Sequence, residues 1–228
     1  MKAVSAFALA GLLLFPSMPL AQMAETPRQL EHGKLFQNYG IKGHKLTEGE
    51  GQGGLAVHED VPLVSTLPSR LAFFTMIACQ SDAVIVGKVV SQTAVLSQDE
   101  SFIFTDAEVF ATEVIKDNPL SKLPLTRSVT VTRPGGVLLM PNGRKLQVAL
   151  NHFRDFSNSG QYLLFLRFLP TTQDYQALWD RSFELRGSEI FNSTPLTLWD
   201  GQQAHGREAV DAAAALVDAR VAAASSCR

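Results

Sequence analysis

Residues 79–116, CQSDAVIVGKVVSQTAVLSQDESFIFTDAEVFATEVIK, decide the fold: they read as two long β-strands joined by a polar turn. In the first, Ala83, Val84, Ile85, Val86, Val89 and Val90 supply mainly β-branched bulk, which suits a pleated, buried surface better than a helix. Gly87 interrupts this run. A glycine inside a strand marks a bulge or a close backbone approach, so a bend is expected there. Ser97-Gln98-Asp99-Glu100-Ser101 is then a hairpin loop, and 102–115 returns as the partner strand. Phe102 and Phe104 fall on one parity of that strand, and Ala107, Val109 and Ala111 on the other. Such a phase change predicts a bulge, the device by which sheets curl into barrels.

The chain beyond this hairpin reads as more strands closing on it. Asp117-Asn118-Pro119 breaks the second strand, 128–132 (SVTVT) alternates as a short strand, and Arg133-Pro134-Gly135-Gly136 turns. The runs 137–140 and 145–150 flank Pro141-Asn142-Gly143-Arg144, and Asn-Gly between two apolar runs is a strong hairpin signal. Residues 162–169, YLLFLRFL, lie between Gly160 and Pro170 and read as a central strand buried on both faces. Shorter strands follow at 174–179, 183–186 and 189–191. The expected fold is mainly β, a closed or partly open antiparallel barrel.

Two helices flank it. Over 69–79, SRLAFFTMIAC, Leu71, Phe74, Thr75 and Ala78 share one face behind a Ser69 cap, predicting a short helix across one end of the barrel. From Arg207 an alanine-rich run places Val210, Ala214, Val217 and Val221 on one stripe, with Glu208, Asp211 and Asp218 away from it, so an amphipathic helix packed on the barrel is expected.

Before the barrel, Met1-Lys2, the apolar run 3–15 and the small residues near Ala21 match the three regions of a secretory signal peptide. The run falls short of the roughly 20 residues a membrane span needs. The expected organisation is therefore a signal peptide over 1–24, a linker or loosely ordered arm over 25–68, and the β-barrel domain with its flanking helices over 69–228. Mature protein is expected in the periplasm or secreted, without a membrane span after signal cleavage.

Composition narrows the function classes. Hydrophobic residues make up 46% and charged residues 18%, enough for a packed core and against global disorder. A formal net charge of -2 gives no electrostatic reason to expect nucleic acid. The two cysteines, Cys79 and Cys227, bracket nearly the whole domain of a chain sent to an oxidising compartment, and a disulfide between them is the preferred reading. The alternative is two unpaired thiols. Two cysteines without paired spacing or neighbouring histidines do not make a zinc site.

Inside the arm, residues 49–54 (GEGQGG) match G-x-G-x-x-G formally, but no buried strand precedes them, so flexible linker is the default. His32, His44 and His58 are too far apart for a helical metal pair and read as solvated. No metal and no cofactor is expected. H-E-x-x-H, G-x-S-x-G and P-loop patterns do not occur. Asp106 and Glu108 share a strand face and read as exposed acids on an edge strand rather than a catalytic pair. Tyr162 reads as core, whereas Trp179 and Trp199 divide between core and a ligand-facing aromatic surface.

The order SDAVIVGKVV, TDAEVFATEVIKDNP, SVTVTRPGG, GQYLLFLRF, with Asp82, Gly87, Lys116, Pro134, Gly135, Gly136, Gly160 and Tyr162, resembles a broad group of uncharacterised bacterial exported proteins. Their barrel is similar to the OB-type barrel of tissue inhibitors of metalloproteinases. The resemblance covers about residues 79–191 and implies an OB-like fold. In those inhibitors the free amine and carbonyl of an N-terminal cysteine, within a Cys-x-Cys start, chelate the protease's zinc. Here Gln80-Ser81 follow Cys79 and a long arm precedes it. The function expected is an exported, non-catalytic binding or interaction module for a protein or small-molecule ligand. Its rivals are a protease inhibitor of that type and an enzyme whose site assembles only in three dimensions.

Overall fold

The computed structural model describes residues 26–40, 44–48, 53–57, 69–123, 128–150, 153, 155–192, 210–225 and 227. The expected signal peptide, His58, Trp199 and the first four residues of the glycine-rich motif lie outside them. In chain order the elements are α1 (Pro27–Leu35), β1 (Gly53–Val57), α2 (Arg70–Cys79), β2 (Ala83–Leu96), β3 (Ile103–Lys116), β4 (Ser128–Pro134), β5 (Gly136–Leu139) and β6 (Lys145–Leu150). There follow β7 (Gln161–Leu169), β8 (Asp174–Arg186), β9 (Glu189–Asn192), β10 (Val210–Asp211) and α3 (Ala212–Ala224).

The long hairpin is β2–β3, closed by a turn in which the Asp99 carboxylate accepts from the Ser97 and Ser101 hydroxyls and the Ser101 amide. Around it runs a seven-stranded sheet in the order β10-β9-β8-β4-β3-β2-β7, and a further β7–β8 pairing closes β2, β3, β4, β8 and β7 into a ring. The sheet is mixed rather than purely antiparallel, because β8 joins β4 in parallel through Val131–Tyr175 and Thr132–Gln176. A second sheet, β1-β6-β5, contains the Asn142-Gly143 hairpin, with Gly143 at φ +80°, a conformation glycine adopts without strain. Its third strand comes from the expected linker: β1 pairs in parallel with β6 and includes Gly53 and Gly54 of the glycine-rich motif.

The bulge expected at Gly87 is present, since the β2–β3 register shifts between Val86 and Gly87. A Cβ at Gly87 would sit 2.5 Å from Val109 Cγ1, so this is also a close approach. The bulge expected between Phe104 and Ala107 is absent. Register there runs unbroken on both sides of β3, from Phe104 opposite Val95 and Pro134 to Ala107 opposite Gln92 and Val131. The phase change has a different cause: both faces of β3 are covered at that end. Ala107, Val109 and Ala111 enter the ring's core, while Phe104 packs outward under Phe36, 5.8 Å between ring centroids.

Three cores result. Inside the ring lie Ala83, Ile85, Val89, Val131, Leu164 and Leu166 with their neighbours. The opposite face of β2 and β7 presents Val84, Val86, Leu163 and Phe165 to α2 and α3, so β7 is buried on both faces as expected. The third core holds Phe36, Leu46, Phe102, Phe104, Leu146 and Val148 beneath the small sheet and the N-terminal segment.

Both flanking helices turn differently from expectation. Ser69 does cap α2, its hydroxyl accepting from the Ala72 amide. The buried face, however, is Phe73, Phe74, Ile77 and Ala78, while Leu71 is exposed. Phe74 stacks toward Phe165 and Phe183, each at 5.3 Å, so α2 covers a sheet face instead of a ring end. On α3 the buried residues are Ala212, Ala215, Ala219 and Ala222, whereas Val217 and Val221 are about half exposed at 54% and 50%. Small side chains let α3 approach α2 and the sheet closely. A helix apolar nearly all round carries no stripe that would have singled out that face. Cys79, ending α2, is disulfide-bonded to Cys227, with Cα atoms 5.3 Å apart. Among the described residues no helix is long and apolar enough to cross a membrane.

Candidate functional site

The densest meeting of ionisable side chains lies where α1 crosses the outer face of β3, β4 and β8. Helix α1 begins with a capping box: the Thr26 hydroxyl accepts from the Gln29 amide, the Gln29 side chain accepts from the Thr26 amide, and Pro27 stands at the first helical position. This fixes Arg28 and His32 one turn apart on one face.

His32 is fully buried. Its Nδ1 lies 2.9 Å from Asp106 Oδ1, and its Nε2 lies 3.2 Å from both Thr172 Oγ1 and Asp174 Oδ2. Arg28 Nε reaches the same Asp174 oxygen at 2.9 Å, and another guanidinium nitrogen donates to Thr130 Oγ1 at 3.0 Å. Thr130 donates onward to Glu108 Oε1 at 2.8 Å. Burial by itself disfavours the imidazolium, but the hydrogen bond and charge of Asp106, reinforced by Asp174, outweigh it and raise the His32 pKa to about 9. The ring is therefore a cation at neutral pH.

Two sequence expectations are corrected here. His32 is not solvated; it is clamped between two carboxylates, because residues 27–40 and 44–48 of the expected linker dock on the sheet. Asp106 and Glu108 are not exposed acids of an edge strand: β3 lies between β2 and β4, and the Asp106 side chain is only 11% exposed. His44 is exposed as expected, and Tyr162 is core. Trp179 falls within β8.

Asp106, His32 and Thr172 stand in the order of an acid–base–nucleophile triad. The geometry favours another role: both ring nitrogens face carboxylates, and Nε2 lies as close to Asp174 Oδ2 as to the Thr172 hydroxyl, so neither nitrogen is dedicated to that hydroxyl. The arrangement works as a clasp. Among the described residues no group of three or more His, Cys, Asp or Glu is placed to hold a metal ion.

Arg28, Thr130, Thr172 and Asp174 are residues of this cluster that no sequence motif marks. Thr26-Pro27-Arg28-Gln29 carried the available signal, a capping box with proline at the first position. A second buried cation, Arg133, closes one end of the ring core: it donates to Asp155 at 2.8 Å and to Pro134 O, with Phe153 and Phe156 beneath its guanidinium. Burial lowers its pKa, opposed by Asp155.

Asp82, Lys116 and Tyr162 act as fasteners. Asp82 accepts from the Phe168 amide, Lys116 donates to the Ala78 and Ser81 carbonyls, and the Tyr162 hydroxyl accepts from the Ser157 amide at 2.6 Å. Gly135 sits at φ +79° and a Cβ there would meet Val148 O at 2.9 Å. Cys79 has its nitrogen in the last turn of α2 and its sulfur in the disulfide. No protein-family model matches the chain, and no curated protein matches it significantly.

Proposed function

We propose that this chain is an exported, non-catalytic binding module of the periplasm or external medium, built on an OB-type barrel and akin to the exported proteins it resembles. The closure of five strands into a ring supports the barrel, and the disulfide supports an oxidising compartment. One observation carries the binding role: β5 is the outer strand of the small sheet and presents Val137 (40% exposed) and Leu139 (71%) to solvent. An apolar outer strand is a template for strand addition by a partner. The pairing of both His32 ring nitrogens with carboxylates supports a structural over a catalytic role for it.

The test is parallel capture from native envelope and culture medium with the wild type and a Val137→Lys/Leu139→Lys variant, followed by mass spectrometry. A partner retained by the wild type and lost by the variant supports the reading. Capture of nothing, together with a hydrolytic activity abolished by His32→Ala, would replace it with the enzyme.

A further inference from the structure

We infer that the outer face of β3, β4 and β8 beneath α1 is a docking surface for a partner's basic helix, and that α1 is its removable resident occupant. The surface and its ligand chemistry are both displayed within the chain. Arg28 and His32, at positions i and i+4, engage Asp174 and Asp106, and Phe36, at i+8, packs on Phe104 and Phe102 at 5.8 and 6.1 Å. A helix with two cations a turn apart and an aromatic one turn further on matches this face.

The resident fits it incompletely. Three carboxylates, Asp106, Glu108 and Asp174, face two cations. Thr132 is fully buried, yet its hydroxyl has no hydrogen-bond partner among the described residues. It stands in register between Asp106 on β3 and Gln176 on β8, which places it on the face that α1 covers. Buried polar atoms are nearly always satisfied in native proteins, so a face that keeps the Thr132 hydroxyl unsatisfied and more carboxylates than cations under its own helix has capacity that a more basic helix would use.

Nothing in the two larger cores holds α1 in place. Among the described residues neither includes one before Phe73, and α1 itself buries only His32 and Gly33. Displacing it would open the third core at Phe36 while leaving the ring and its α2–α3 cover closed.

This inference rests on the binding-module reading but uses a different surface from β5, so the two tests read separate faces and their failures are distinguishable. The probe is a fluorescent alanine–glutamine helix bearing only two arginines and a phenylalanine at i, i+4 and i+8, with a control carrying glutamates for the arginines. In anisotropy titrations, an Arg28→Glu/His32→Glu protein should bind the probe at least tenfold more tightly than wild type. The control should bind at least tenfold more weakly, and adding Asp106→Asn/Asp174→Asn should abolish binding. No binding by the opened protein, with near-ultraviolet dichroism and disulfide intact, would overturn the proposal. So would hydrogen exchange in the wild type showing α1 amides as protected as those of β3, a measurement that decides the matter even if the opened variant does not fold. Concentration-dependent dimers that exchange α1 would replace the foreign helix with a second copy.

Discussion

His32 Nδ1 lies 2.9 Å from Asp106 Oδ1, a contact that joins residues 74 apart in sequence and ties the N-terminal helix to the middle of the sheet. Its energetics depend on pH. A histidine whose folded pKa is raised from 6.5 to about 9 contributes stability that is complete below pH 6.5 and is lost as pH rises through 9. At 1.36 kcal/mol per unit this shift corresponds to about 3 kcal/mol. Denaturant midpoints should fall between pH 6.5 and 10 in the wild type and stay flatter in His32→Gln. An NMR titration placing the His32 pKa at or below 6.5 would refute the clasp.

The Cys79–Cys227 bond closes a loop of 148 residues in sequence separation. In the chain-entropy picture such a loop stabilises by about 5 kcal/mol, with engineered bonds often giving less. Reduction should lower the melting temperature and fray α3 first, leaving the strand signal in place, because the ring core includes neither cysteine. Far-ultraviolet dichroism with and without reductant reads both effects. Equal melting curves would show that the bond constrains nothing.

Gly87→Ala puts a methyl group 2.5 Å from Val109 Cγ1 and 3.3 Å from the Phe110 carbonyl oxygen. Overpacking of this kind costs about 1–3 kcal/mol. Because the clash is with one side chain, Gly87→Ala/Val109→Ala should be less destabilised than the sum of its single substitutions. Strict additivity in a double-mutant cycle would mean that the backbone, rather than Val109, yields.

On α3, Val217→Ser and Val221→Ser should each change stability by no more than about 0.5 kcal/mol, as expected for surface positions. Ala219→Leu should cost about 1–3 kcal/mol, since Ala219 is fully buried among the residues α3 shares with α2 and the sheet. The reverse ranking, with the valines sensitive and Ala219 tolerant, would restore the orientation expected from sequence.

What the sequence determined by itself was local. A β-branched run made β2, an apolar run bounded by Gly160 and Pro170 made β7, Asn142-Gly143 made the β5–β6 turn, Gly87 made a bulge, and Ser69 made a cap, because each depends on preferences within a few residues. The disulfide was legible from two cysteines in a chain read as exported. The covered faces were decided only in three dimensions. Periodicity reports which residues are apolar and not what will lie over them, so Phe104, covered by Phe36, imitates a bulge, and the valines of α3 imitate its buried stripe. The clasp was least visible of all: His32 meets Asp106 and Thr172 across 74 and 140 residues, and burial together with two carboxylates, neither encoded near position 32, makes a polar linker histidine a buried cation.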